Sequence, residues 1–107
     1  MIKDRGFNFI GLFEGLPYGG CTEHFEDYSR DNCVIDRPTV LAYLESLEGA
    51  YTSEPTYDLF THERFLAGLC YDSDFVVTTD FIRYYKQGRV DIPKEYEDYL
   101  INEKHIA

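Results

Sequence analysis

A chain of 107 residues can close one hydrophobic core and has no length for a second, so residues 1–107 are read as a single domain. A domain this small buries a modest share of its surface, which makes the core thin and leaves few apolar side chains to waste. At 44% hydrophobic residues the chain can still build such a core, and it is not a disordered tail despite a net charge of −10.

Periodicity locates the elements. Residues 7–13, Phe-Asn-Phe-Ile-Gly-Leu-Phe, predict a strand or a buried extended segment. Gly15 to Gly20 is turn-rich, and residues 22–34 are polar and weakly periodic, which suits a loop or a short helical turn. Asp36 and Pro38 are helix-start signals for a helix running to Leu47, with Val40, Leu41, Leu44 and Leu47 on one face and Gly49 as its stop. Tyr51 to Thr61, with Pro55 and several hydroxyls, reads as a loop. Phe65–Tyr71 and Phe75–Thr78, joined by Asp72-Ser73-Asp74, form a hairpin candidate. Thr78 or Thr79 then caps a short helix through Phe81, Ile82, Tyr84 and Tyr85 that ends near Gly88. Pro93 opens a last helix with Tyr96, Tyr99 and Leu100 on its apolar face and Glu95 and Glu97 near its positive end. The fold class expected is α+β: about three helices, a short antiparallel β-hairpin and an extended N-terminal segment packed alongside.

Charge narrows the partner. From Gly6 to Ile82 there are 14 acids against Arg30, Arg37 and Arg64, a net −11 over that stretch. Such a field disfavours nucleic acid and anionic membranes and favours a basic protein. Ten tyrosines and eight phenylalanines offer contact area, with hydroxyls that a partner or the core edge can use. Three cysteines, an odd count at wide spacing, suggest reduced thiols and a cytoplasmic protein, monomeric when free. Met1 to Phe13 does not read as a signal peptide, and no stretch approaches the length of a membrane span.

Motifs for chemistry are weak. Cys21-x2-His24 with Cys33 is metal-like spacing but wants a fourth ligand, for which Glu23 or Asp27 is a poor substitute. His24, His62 and His105 have no local link to a cysteine nucleophile. Glu26-Asp27 and Asp72/Asp74 are pairs that 20 acids produce by chance. The Gly15–Gly20 stretch lacks the Lys-Ser/Thr of a phosphate loop, and Asp72-Ser73-Asp74 lacks the later ligands of a calcium loop. The expectation is therefore no catalytic residues, no metal and no cofactor, with a small enzyme as the remotest reading.

The order of motifs resembles a known group. Leu41-Ala42-Tyr43-Leu44 lies in the first helix, followed by Gly68-Leu69-Cys70-Tyr71-Asp72-Ser73-Asp74-Phe75-Val76-Val77. Then come Asp80-Phe81-Ile82-Arg83-Tyr84-Tyr85 and Val90-Asp91-Ile92-Pro93-Lys94-Glu95-Tyr96. Over residues 36–101 this is similar to small cytosolic immunity proteins of bacterial polymorphic toxin systems of the contact-dependent inhibition type. Ser73-Asp74 and Phe75 stand where that pattern often has Asp-Gly and Trp. The resemblance implies neutralisation of a cognate toxin, often a nuclease with a basic cleft that an acidic inhibitor would complement. A phage- or plasmid-encoded acidic inhibitor that mimics nucleic-acid charge, acting on a host defence or DNA-binding enzyme, is the alternative. For either, the expected contact acids are those on ordered elements, Asp72, Asp74, Glu45 and Glu48, together with the dense group Glu23, Glu26 and Asp27.

Overall fold

In a computed structural model of the chain, residues 1–13 and 23–106 are described, the side chains of residues 51–54 excepted. The Gly15–Gly20 stretch and Cys21 lie outside the described residues. Two short strands, β1 (Ile2–Asp4) and β2 (Phe7–Ile10), open the fold as a hairpin. Its two-residue turn uses Arg5 and Gly6, both at positive φ (52° and 84°), as the twist of a tight hairpin requires. A 3-10 turn, Phe25–Tyr28, follows, and then α1 (Arg37–Glu45). Next come β3 (Gly49–Tyr57), β4 (Arg64–Asp72) and β5 (Phe75–Thr78). Helices α2 (Thr79–Lys86) and α3 (Lys94–Asn102) complete the chain.

The five strands make one mixed sheet in the order β1-β2-β5-β4-β3. β2 runs parallel to β5, with Ile10 opposite Val77, while the other pairings are antiparallel. The α+β reading therefore holds, with a larger sheet than one hairpin. The three helices share one face of it. Ile10, Phe75 and Val77 of the sheet pack in one cluster with Val40 and Leu44 of α1, Phe81, Tyr84 and Tyr85 of α2, and Tyr96 and Leu100 of α3.

The helix starts follow their capping residues. Asp36 Oδ2 accepts from the Thr39 amide at 3.2 Å, and Thr78 Oγ1 accepts from the Phe81 amide at 3.1 Å. Thr78 also donates to the Gly11 carbonyl at 2.8 Å, which brings the end of β2 against the start of α2. Gly11 has φ +91°, and a Cβ there would lie 2.5 Å from the Cβ of Phe81, so only glycine fits that crossing.

Tyr51–Thr61, expected as a loop, is mostly strand. β3 runs to Tyr57 and pairs with β4 from Gly49 opposite Cys70 to Tyr57 opposite Arg64. Pro55 is tolerated because β3 is an edge strand whose register shifts between Tyr51 and Pro55. Gly49 does not stop the helix: α1 ends at Glu45 with Ser46 as its cap, and Gly49 begins β3.

The hairpin of β4 and β5 forms as expected, with Ser73 at φ 55° in its turn, but Asp72 is not a solvent-facing turn acid. It is 5% exposed and accepts three phenol hydroxyls. Tyr43 of α1 and Tyr96 of α3 donate to Oδ2 at 2.7 and 2.8 Å, and Tyr99 donates to Oδ1 at 2.8 Å. Burial and the neighbouring carboxylate raise all three phenol pKa values, that of Tyr99 to about 12. Glu97 is likewise more than a helix-start charge. It is buried and takes the Arg30 guanidinium at 3.1 Å and the Val34 and Ile35 amides at 2.9 and 3.2 Å, which docks the chain before α1 onto α3.

Two pairs of substitutions check this arrangement by chemical denaturation. Leu44→Ala, at 1% exposure, should cost about 2–5 kcal/mol, while Glu45→Ala on the exposed side of α1 should cost under about 0.5 kcal/mol. Asp72→Asn should cost about 1–3 kcal/mol because its donors lose a charged acceptor, and Asp74→Asn under about 0.5 kcal/mol. Equal losses within either pair would mean that the side chains face the other way.

Candidate functional site

One end of the molecule combines ordered backbone, exposed apolar side chains and exposed acids. Its first part is the loop between β3 and β4, organised by Asp58. This carboxylate is fully buried. Its Oδ1 accepts from the Phe60 and Thr61 amides at 2.7 and 2.8 Å, which is the way an aspartate closes a turn on its own backbone. Its Oδ2 accepts from Gln87 Nε2 at 2.6 Å and from the Arg83 guanidinium, both at the end of α2. The loop is closed again by backbone bonds from Asp58 N to the Glu63 carbonyl, 2.8 Å, and from His62 N to the Asp58 carbonyl, 2.9 Å. The Leu59 amide donates to the Tyr84 hydroxyl at 3.0 Å.

Burial alone would raise the Asp58 pKa. The bonds from the Thr61 amide, Arg83, the Phe60 amide and Gln87 outweigh it and hold the carboxyl well below the usual carboxylate range. A loop fixed this firmly nevertheless turns apolar side chains outward. Leu59 is 56% exposed and Phe60 42%, and Tyr57 at the end of β3 is 57% exposed.

The second part is the 3-10 turn, organised by Glu23. Glu23 is buried and accepts at Oε1 from the Gly11 and Leu12 amides, 3.2 and 3.1 Å, and from the Tyr28 hydroxyl, while the Met1 ammonium pairs with Oε2. Burial first, and then the bond to Glu23, raises the Tyr28 phenol. The turn is closed by Asp27 Oδ2, which accepts from the His24 amide at 2.9 Å.

The two parts are joined by aromatic rings. Phe25 lies 4.8 Å from Phe13, 4.9 Å from Tyr84 and 5.7 Å from Phe60, between ring centroids. The guanidinium of Arg89 sits over the outer ring, Phe60, at 3.3 Å. Between turn and loop lies a pocket of about 280 Å³, lined by Phe13, Glu23, His24, Phe25, Glu26 and Leu59.

The acids expected to contact a partner divide accordingly. Glu23, Glu26 and Asp27 are brought together in or beside this site, but Glu23 is an interior hub whose charge already has four donors. Asp72, equally internal, cannot offer a free charge either. Asp74 is exposed in the β4–β5 turn. Glu45 is exposed at the end of α1 and borders a separate groove with Leu66, Ile82 and Lys86, whereas Glu48, expected on the same helix, is exposed beyond its end, just before β3. Sequence reading missed Asp58, Leu59 and Phe60. The one signal for them was Asp58 itself, a residue type that closes turns on its own backbone.

For the metal-like spacing, Cys21 lies outside the described residues. Among the described residues, no group of three His, Cys, Asp or Glu side chains could hold an ion. No described helix is long and apolar enough to cross a membrane. Comparison with protein-family models, with curated proteins and with solved structures gives no match.

The depressed Asp58 pKa has a signed consequence for stability. The carboxylate favours the folded state fully above its ordinary value of 3.8, and this contribution is lost as pH falls toward the lower folded value. Urea midpoints of the wild type should therefore fall below about pH 4. Asp58→Asn should be less stable at neutral pH and show a shallower fall over the same acid range. Parallel acid slopes for the two proteins would remove Asp58 from this role.

Proposed function

We propose that this domain is a binding protein for a basic protein partner, and that it neutralises a toxin, with a nuclease toxin domain as the partner, in the manner of an immunity protein. The observation that carries the reading is the pairing of Leu59 and Phe60, held outward by a rigid loop, with Glu26 and Asp27 exposed on the neighbouring turn. Apolar anchors on a preorganised backbone lose little entropy on binding, and acids beside them steer a cationic partner and fix its register.

The local charge balance supports the sign of that partner. Between residues 24 and 48 the exposed acids are Glu26, Asp27, Asp31, Asp36, Glu45 and Glu48. The two bases of the same stretch turn inward. Arg30 binds the Ile92 carbonyl and Glu97, and Arg37 binds the Tyr85 and Val90 carbonyls and Asp91. The acids of this segment therefore face solvent with little local compensation, a field that speeds encounter with a basic surface.

The test is capture with the intact domain as bait, followed by activity and association kinetics on the captured protein. A toxin nuclease with a basic surface should be recovered, and one equivalent of the domain should abolish its activity. The double variant E26Q/D27N, which leaves both carboxylate hubs intact, should associate more slowly at about 0.01 M ionic strength. The difference from wild type should shrink at about 1 M. Recovery of an acidic partner, or equal on-rates for variant and wild type at low salt, would contradict the reading.

A further inference from the structure

The pocket between the 3-10 turn and the β3–β4 loop has walls of one kind and a rim of another. Phe13 and Phe25 are perpendicular neighbours, at 82° between ring planes, and Leu59 faces them from the loop. Glu26 stands exposed at the rim, and the Glu23 carboxylate lies in the lining with its hydrogen bonds already made. Aromatic faces and an aliphatic side chain suit the stem of a long side chain, and a free carboxylate at the mouth suits a cationic head.

The same ring cluster already takes a guanidinium. Arg89 lies 3.3 Å over Phe60, which in turn packs on Phe25. Elsewhere in the chain Arg37 covers Tyr85 at 4.3 Å and Arg83 covers Phe65 at 4.7 Å, so planar cations on aromatic rings are a repeated solution in this fold. Arginine is favoured over lysine here because its weakly hydrated plane stacks on a ring while its fork still reaches a carboxylate.

We infer that this pocket receives one arginine side chain of the basic partner, stacked against Phe25 and Leu59 and paired with Glu26. The inference rests on the reading that the partner is basic, and it adds the anchor residue through which that partner is gripped. Glu23 does not pair with the incoming cation. It holds Gly11, Leu12 and Tyr28, and so keeps the pocket wall in place.

The probe is Nα-acetyl-arginine N-methylamide, titrated into the 15N-labelled full chain and followed by amide chemical shifts. The uncharged citrulline analogue and the lysine analogue serve as comparisons. Saturable shifts should centre on His24, Phe25, Glu26 and Leu59. Lysine should bind at least about threefold more weakly, and citrulline should give no saturable shift. Glu26→Gln and Leu59→Ser, both at exposed positions, should each weaken the arginine probe at least about threefold with the circular dichroism spectrum unchanged.

Three results would overturn the inference: equal response to citrulline, shifts of equal size at Glu45 and Glu48, or a linear response that never saturates. The two claims also fail separately. If both variants associate with the captured basic protein as fast and as tightly as wild type, the arginine pocket is excluded while a basic partner stands. If the captured partner is not basic, the functional reading falls, and the small-molecule titration still decides the pocket.

Discussion

A carboxylate withdrawn from water must be met by donors, and in this domain that requirement sets the architecture. Asp72 collects phenols from α1 and α3 at the end of β4, so two helices and the sheet share one charge. Glu23 gathers the end of β2 and the 3-10 turn. Glu97 gathers Arg30 and the chain before α1. Asp58 gathers the β3–β4 loop and the end of α2. Each joins segments that are remote in sequence, and each accepts from at least three donors. A thin core thus gains order from polar hubs placed where the apolar packing ends. Removing a donor or a hub would leave a buried polar group unpaired, which costs more than an ordinary surface bond returns.

These hubs also redistribute the charge. The net of −10 describes the whole chain, but the acids that face solvent are a selected subset. Glu23, Asp58, Asp72, Asp80 and Glu97 are buried, while Arg30, Arg37 and Arg83 are drawn inward to carbonyls and carboxylates. What remains outside near the 3-10 turn is the exposed pair Glu26 and Asp27, with the guanidinium of Arg89 over Phe60 as the cation of the neighbouring loop. Rigid, partly apolar and negative surfaces of this kind suit tight association with a basic protein better than imitation of a phosphate backbone, which has no use for exposed leucine.

Much of the fold was legible in the sequence because its signals are local. Asp36, Thr78 and Pro93 mark helix starts through capping and backbone geometry, and each helix begins beside its marker. The β4–β5 hairpin follows from two short apolar runs joined by a short polar turn. β3 was not legible, because Pro55 and a run of hydroxyls imitate a loop unless the strand is known to lie at an edge. The parallel pairing of β2 with β5 depends on contacts 60 residues and more apart and leaves no local trace. The site was half legible. Glu26 and Asp27 stood out as a dense acidic group, but charge alone does not separate an exposed acid from a buried hub. The clue was the tyrosine content, since buried phenols need acceptors and carboxylates are the strongest on offer.

In the proposed complex the 3-10 turn and the β3–β4 loop would engage the partner, while the exposed rings of Phe7 and Tyr71, packed on each other on the sheet, would stay in solvent. Hydroxyl-radical footprinting of the free and bound domain reads those side chains directly. On binding, Phe25, Leu59 and Phe60 should lose reactivity and Phe7 and Tyr71 should keep theirs. Protection of Phe7 and Tyr71 with Leu59 and Phe60 unchanged would contradict the account and move the interface to the sheet.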